Sequence, residues 1–518
     1  TDLKLIKQMK GQAMSERSAR LAHNDRQNCE ALFAKGVNQI IFRTLVADTQ
    51  TPVGMMMKLS EKQTYHCLLE SVEGGEVRGR FSVVALKPDL IWQCKKEKVF
   101  INRTAQTKPE NFVELSNEQP LGSLRQLIAE SWMDNTHPLP PMAAGLFGYL
   151  GYDMIRHVET LPDENQDKLD VHDSVLMRPS VVAIFDRLKD TITLCYQIRP
   201  TDFETAESAW NTANYELDLI ESSLQAPLPL IPAVPDHADV STPQSNLSKD
   251  KFFSMVRKAK EYIKSGDIFQ VVLSQRFTIP FNLPSFALYR SLRRLNPSPF
   301  LFHFNLGEVA IVGSSPEILV RLRDDEVTIR PIAGTRPRGQ NEEEDRKNAA
   351  DLLSDIKERA EHLMLLDLGR NDVGRVAQSG TVRVVSNFEI ELYSHVMHIA
   401  SEVRGKIRPE CDVIDALVAG FPAGTVSGAP KIRAMEIIDE LEEDSRGIYA
   451  GGIGYISTDG DMDTCIVLRT GIIIKDKLYV QAGGGIVYDS DPQLEYAETV
   501  NKAKAVLNAA SIVLGNKK

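Results

Sequence analysis

"GGIGYISTDGDMDTCIVLRTGIIIKDKLYVQAGGGIVYD", residues 451–489, decides the fold. Runs rich in β-branched residues alternate with short polar breaks, and Asp459-Gly460 and Asp476-Lys477 mark the turns. Strands joined so tightly pair antiparallel, because a parallel neighbour requires a long crossover. The same pattern occurs upstream. "TYHCLLESV" and "RGRFSVVALKP" flank the turn "EGGEV", and "SVVAIFDRLKDTITLCYQIRP" folds back at "LKD". Further strands are expected at "IFQVVLSQRFTIP", "FLFHFNL" and "VAIVGSSP". Helices lie between them. In "SKDKFFSMVRKAKEYIKSGD", Ser248 is the expected N-cap and Gly266 the stop. The expected class is therefore α+β, with antiparallel sheets flanked by helices.

At 518 residues the chain is too long for one small core. "QAPLPLIPAVPDHADVSTPQSN", residues 225–246, holds five prolines and reads as a linker. It separates an N-terminal half (36–224, after an extension at 1–35) from a C-terminal domain at 247–518. A net charge of -11 argues against nucleic acid or anionic membranes as partners. No stretch reaches the roughly 18 apolar residues of a membrane span. The first twenty residues lack the apolar core of a secretion signal. Six cysteines (29, 67, 94, 195, 411 and 465) form no CxxC pair and no zinc-spaced cluster. Reduced thiols in a cytoplasmic protein are the expectation.

Two helical segments carry paired carboxylates. In "IKERAEHLMLLDLGRND", residues 356–372, Glu358 and Glu361 share a face that continues into Leu365 and Leu368. The core stripe is expected on Leu352, Leu353, Ile356, Ala360, Leu363 and Met364, roughly opposite. In "DSDPQLEYAETVNKA", Asp491 is the expected N-cap and Pro492 the first helical residue. Glu495, Glu498 and Lys502 follow on one face. Either pair alone reads first as an ordinary solvated helix face. If the faces converge, four carboxylates repel unless a cation intervenes, and their hard oxygens suit Mg²⁺. The strings "AGGIGYIS" and "QAGGGIVYD" open no helix, so they are not a dinucleotide fingerprint. "QAGGGIV" offers bare amides to an anion or bends the strand. "GTVSGAPK" lacks the ending of a phosphate loop. Arg469, inside an apolar strand, meets either a structural carboxylate or an anionic ligand. Glu317, His398 and Lys431 are ambiguous taken singly.

Taken in order, "GDIFQVVLSQRF", "GSSPEILV", "PIAGTRPRG", "ERAEHLMLLDLGRND", "SHVMHIASEVRG", "GTVSGAPKIRAMEII", "GGIGYIS", "DTCIVLRTG" and "QAGGGIVYDSDPQLEYAETVNKA" form one series. It resembles the chorismate-utilising enzymes, and among them the anthranilate synthase large subunits, over 247–513. The N-terminal half is similar more loosely, from "FRTLVADTQTPV" to "AGLFGYLGYD". The resemblance implies Mg²⁺ held by Glu361 and Glu498, with Glu358 and Glu495 beside them. It implies that Tyr449 and Arg469 hold the enolpyruvyl carboxylate of chorismate. Gly483, Gly485 and Lys502 would line the ring carboxylate and metal end. Thr425 and His398 would lie beside the ring. Glu317 would be the acid that protonates the leaving 4-hydroxyl, and His398 would assist pyruvate loss. In water-adding relatives a lysine base stands where this chain has Gln270, and in aminodeoxychorismate synthases a lysine nucleophile stands where it has Ala333. "Gly334-Thr335" completes that substrate-binding segment. The implied reaction is ammonia attack giving anthranilate and pyruvate, the committed step of tryptophan biosynthesis. Alternatives are an aminodeoxychorismate or aminodeoxyisochorismate synthase, or a non-catalytic tryptophan sensor. No cysteine lies in a Gly-x-Cys-x-Gly elbow, so ammonia is expected from a separate glutamine amidotransferase subunit, in a hetero-oligomer of the heterotetramer kind. "LLES" and "NPSPF" resemble a feedback site for L-tryptophan, comprising Leu69, Glu70, Ser71, Asn296, Pro297, Ser298 and Phe300.

Overall fold

A computed structural model describes residues 26–515 except 62, 74–76, 135–138, 230–241 and 394–395. Most of the 1–35 extension, the middle of the proline-rich segment and the tip of "EGGEV" lie outside the described residues. Every strand ladder among the described residues is antiparallel. The 451–489 stretch forms the strands Gly452–Ser457, Met462–Ile466, Thr470–Ile474 and Lys477–Ile486. Gly460 takes the left-handed φ of 89° at the first turn. At the last turn it is Lys475 that does so (φ 53°), and Lys477 already pairs with Ile474. That turn therefore lies one residue earlier than the sequence pattern suggests.

Two runs of strands start from the long pair Val77–Lys95 and Ser174–Asp186. One passes through Tyr65–Glu73, Phe300–Leu306, Val309–Ser315, Thr470–Ile474 and Lys477–Ile486 to Gln270–Pro280. The other passes through Gly145–Leu150, Gly452–Ser457, Met462–Ile466, Ile318–Arg323 and Glu326–Ile329 to Val396–Lys406. Both runs cross from the N-terminal half into the C-terminal half. Between them lies an apolar core that includes Cys67, Val83, Phe147, Tyr149, Phe302, Phe304, Ile453 and Ile472. The outer faces are covered by helices. Ala206–Gln225, Ser285–Leu295 and Pro492–Val513 pack on one side. Pro120–Glu130, Ile356–Gly374 and Val413–Gly420 pack on the other. Period-2 alternation makes this layering possible. In Tyr65–Glu73, Cys67 faces the inter-strand core and Leu68 the helices. The helix Lys249–Ser265 starts on the Ser248 side chain and ends at Gly266 (φ 85°), as its sequence predicts. No helix of the described residues is long and apolar enough to cross a membrane.

Candidate active site

The carboxylate helix begins with a break. Asp355 leaves helical geometry (φ -69°, ψ 113°), and its carboxylate accepts the amides of Lys357 and Glu358 at 2.9 and 3.2 Å. One helix thus ends at Ser354 and another starts at Ile356. A 3.6-residue period cannot run through such a break, and the expected core stripe fails there. Leu352 is buried, but Ile356 is 84% and Leu363 57% exposed, and Ala360 is exposed as well. The buried side carries His362, Leu365, Leu366 and Gly369 instead. Glu361 leads into that side. Burial, then the charges of Glu358 and Glu498, push its carboxyl above the usual range, opposed by Lys502 and the Gln270 amide. Gln270 donates to it at 3.3 Å, and Glu358 pairs with Arg336 at 3.3 Å.

Asp491 and Pro492 start the second helix as expected. Burial raises Glu495, with a hydrogen bond from Ser490 opposing and Glu498 adding to the effect. Lys502 bridges Glu498 at 2.8 Å and donates to the Gly483 carbonyl at 2.9 Å. The two helices, some 130 residues apart in sequence, therefore bring their carboxylates within electrostatic reach. Among the described residues no three acidic, imidazole or thiol groups stand close enough to form a ready cage for a metal. The donor set is nevertheless all oxygen, and a hard dication would relieve the repulsion on Glu361. Ions of that type keep several waters and need one or two carboxylates.

The remaining candidates sit in interruptions of strands. Glu317 falls between Val309–Ser315 and Ile318–Arg323 and is 6% exposed. Burial pushes its carboxyl up to about 8, although Thr425 Oγ1 donates to it at 3.1 Å and the Ile332 amide also bonds to it. It is a neutral acid at pH 7. Gly334 and Thr335 bulge out of the ladder between Ala333 and Arg336, and Gly334 takes φ 70°. The Gly334 carbonyl then lies 2.8 Å from His398 Nδ1, with Thr335 Oγ1 at 3.1 Å. A carbonyl can only accept, so Nδ1 carries the proton and Nε2 keeps its lone pair. Burial lowers the His398 pKa to about 4, which leaves the ring neutral. Arg469 lies between Met462–Ile466 and Thr470–Ile474 with φ 48°. Burial depresses its pKa, opposed by Tyr393 and Glu317. Among the described residues it forms no ion pair, so the structural carboxylate is not its partner. Lys431, by contrast, is tied to buried Asp372 at 2.9 Å. Tyr393, edge-on to His398 with ring centroids 5.3 Å apart, is a residue that sequence reasoning missed.

The glycine strand does not bend. Lys477–Ile486 pairs without a bulge along Gln270–Pro280, with Gly483 opposite Ser274 and Gly485 opposite Val272. Its glycines make room. A Cβ on Gly483 would lie 2.8 Å from the Tyr449 hydroxyl, and one on Gly485 2.4 Å from Gln270 Nε2. Tyr449 is buried, and its phenol is pushed up to about 12 by that burial. The Gln270 carbonyl oxygen is buried and lacks a hydrogen-bond partner among the described residues. Ala333 is buried and contributes no functional group.

A cavity of about 580 Å³ lies between the two strand runs, within the range of small-molecule sites, and reaches Tyr393 and Ile332 beside the candidate active site. Leu69, Glu70, Ser71 and Phe300 line it, together with Pro299, Tyr455 and Cys465. Phe300 stands opposite Ser71 in the ladder. Glu70 is held by Arg293 at 2.5 and 2.9 Å and by the Tyr289 hydroxyl at 2.5 Å. Asn296, Pro297 and Ser298 do not line the cavity. They form the turn leading into Phe300, where Asn296 meets Ser298 and Ser314.

The chorismate binding enzyme family matches residues 68–508. An anthranilate synthase component 1 of Cereibacter sphaeroides is 57% identical, covering 92% of this chain and 95% of the relative. One of Aquifex aeolicus is 44% identical, covering 91% and 94%. The crystal structure of anthranilate synthase component I from Streptococcus pneumoniae superposes with a TM-score of 0.71 at 38% identity, covering 83% of this chain and 92% of that one. The menaquinone-specific isochorismate synthase of Escherichia coli shares the fold at 20% identity and a TM-score of 0.69. A match over residues 68–508 and relatives up to 57% identical along nearly their whole length place the chain among the chorismate binding enzymes and, within them, in the anthranilate synthase component 1 group.

Proposed function

We propose that the chain converts chorismate and ammonia to anthranilate and pyruvate, as the large subunit of an anthranilate synthase. The observation that carries this reading is Glu317, a buried carboxyl held by Thr425 at 3.1 Å, whose burial favours the protonated form. Hydroxide is a poor leaving group, and a positioned acid converts it to water. Arg469 and Tyr449 receive the enolpyruvyl carboxylate. Arg469 suits this role because it is buried and forms no ion pair among the described residues. Thr425 fixes the Glu317 carboxyl, and neutral His398 offers Nε2 for the proton lost as pyruvate leaves and the ring aromatises. Gln270 is an amide and cannot act as a base for water, and Ala333 offers no nucleophile. These two side chains favour ammonia over the chemistry of the water-adding and aminodeoxychorismate-forming relatives.

Mg²⁺ is the cation the carboxylates suit, held by Glu361 and Glu498 with Glu358 and Glu495 nearby. When bound it would supply charge neutralisation at the ring carboxylate. Lys502, through Gly483, closes the same end. Ammonia is supplied by a separate glutamine amidotransferase subunit in a hetero-oligomer. L-Tryptophan regulates the enzyme from the cavity lined by Leu69, Ser71 and Phe300, so regulation draws on residues 36–224 together with Phe300 of the 247–518 domain, which carries catalysis. Six buried, unpaired cysteines suit a reducing cytoplasm. The test is a fluorescence assay for anthranilate with chorismate, ammonium and Mg²⁺, alongside measured pyruvate release. Product in equal amounts of both is expected. Amino-product without pyruvate, or no product beside an active control enzyme, would overturn the reading.

A further inference from the structure

Arg446 lies directly behind the substrate-facing residues and is 2% exposed. Its guanidinium spends four N–H bonds on three different elements. Nε and Nη2 donate to Glu442 at 2.9 and 2.7 Å, Nη2 also to the Val272 carbonyl at 2.7 Å, and Nη1 to the Val426 carbonyl at 2.7 Å. Glu442 in turn accepts from the amide and hydroxyl of Ser274 at 2.8 and 2.9 Å. Val272 and Ser274 are the cross-strand partners of Gly485 and Gly483. Val426 adjoins Thr425. The same guanidinium lies 5.6 Å from the Tyr449 ring centre and 4.9 Å from that of Tyr152, which belongs to the N-terminal half. The Tyr449 hydroxyl, finally, stands against Gly483.

One planar, rigid fork therefore connects the glycine strand, the Thr425 turn and Tyr449. A lysine could not do this, because its donors radiate from one nitrogen. Glu442 neutralises the charge, so Arg446 acts through geometry and not as an anion receptor. We infer that Arg446 is a positioning residue for the reaction. It sets where the Tyr449 hydroxyl, held against Gly483, meets the enolpyruvyl carboxylate of the substrate, and Tyr152 packs on it from the N-terminal half. This inference rests on the proposed function, which assigns that carboxylate to Tyr449.

The experiment is a steady-state cycle on the full chain with ammonium as nitrogen donor. Arg446→Lys should raise KM for chorismate about tenfold, the loss of one charge-assisted hydrogen bond, with kcat within about threefold and KM for ammonia unchanged. In a Tyr449→Phe background the same substitution should change KM by less than about twofold, because the hydroxyl it positions is gone. A purely structural arginine would give equal fold-changes in both backgrounds, or a loss of kcat alone, and either result overturns the inference. If Arg446→Lys does not fold, Tyr152→Leu decides, since it removes a ring without orphaning a charge. It should raise KM about threefold beside Tyr449 and leave it unmoved beside Phe, and an unmoved KM in both overturns the inference. A parent chain that makes no anthranilate would instead sink the functional reading, and this inference with it.

Discussion

Replacing Glu317 by glutamine separates its two roles. At pH 7 a carboxyl titrating near about 8 is roughly nine-tenths protonated, so the parent enzyme holds the acid it needs. Glutamine keeps the acceptor for Thr425 and Ile332 but has no proton to give. Turnover should fall by about 10²–10⁴-fold, the usual contribution of a general acid. Stability should move the other way. In the unfolded chain this carboxyl titrates at 4.5, so between there and about 8 the folded chain holds a proton that the unfolded chain lacks. Stability from this group is therefore lost as pH rises, by about 2 to 3 kcal/mol between pH 6 and pH 8.5. Glu317→Gln abolishes that loss, so its stability relative to the parent should improve by this amount over the interval. Urea unfolding at both pH values measures the shift. Rates at a fixed concentration of unprotonated ammonia measure the acid, and the basic limb of the parent's kcat/KM should fall near pH 8. A variant with near-parent turnover, or one whose relative stability ignores pH, would refute the assignment of a buried, protonated acid.

Glu361→Gln should lower the apparent Mg²⁺ affinity about a hundredfold without lowering the thermal midpoint, because the amide removes a repelled charge. An unchanged Mg²⁺ titration of activity would contradict its role as ligand. Arg293→Met removes the ion pair of the buried Glu70 carboxylate, which keeps hydrogen bonds from Tyr289 and Ser82, and should destabilise the chain by about 3–5 kcal/mol. The double variant with Glu70→Gln should recover most of that in urea melts, and equal stability of the single and double variants would show that the pair carries no such load. Gly483→Ala would place its Cβ 2.8 Å from the Tyr449 hydroxyl and 3.0 Å from Val272 Cγ1. It should raise KM for chorismate at least about tenfold while destabilising by about 1–3 kcal/mol, and a kinetically silent alanine would refute the close approach.

The antiparallel architecture was legible because its signals are local. Alternating residues between Asp-Gly or Lys-Asp turns state both the strand and its return, and Ser248 and Gly266 state the ends of a helix in their own side-chain chemistry. What local signals could not carry was phase across an interruption. The stripe predicted through Leu352, Ile356 and Leu363 assumed one continuous helix. A single aspartate at 355 capped a new helix, turned the register and left Ile356 in solvent. Likewise no pattern in residues 65–73 announces that the strand pairs with 300–306 on one edge as well as with Val77–Lys95 of its own half on the other.

The same limit explains the site. Glu317, Gly334, Thr425 and Arg469 each occupy a break or bulge, where the period-2 pattern stops and a sequence reading has least to say about direction. Their residue types were informative nonetheless. An arginine in an apolar strand demanded an anion, and among the described residues it forms no ion pair. Glycines in a strand demanded either a bend or a close approach, and the unbroken ladder with Tyr449 and Gln270 pressed against it favours the approach. Arg446 shows where type alone fails. Of its hydrogen-bond partners only Glu442 stands in its own string "EEDSRGIYAGG", and nothing there indicates the carbonyls 20 and 174 residues away. Residues that touch substrate leave chemical oddities in a sequence. A residue that holds them in place leaves none, because its reason lies in the distances between elements that the sequence lists far apart.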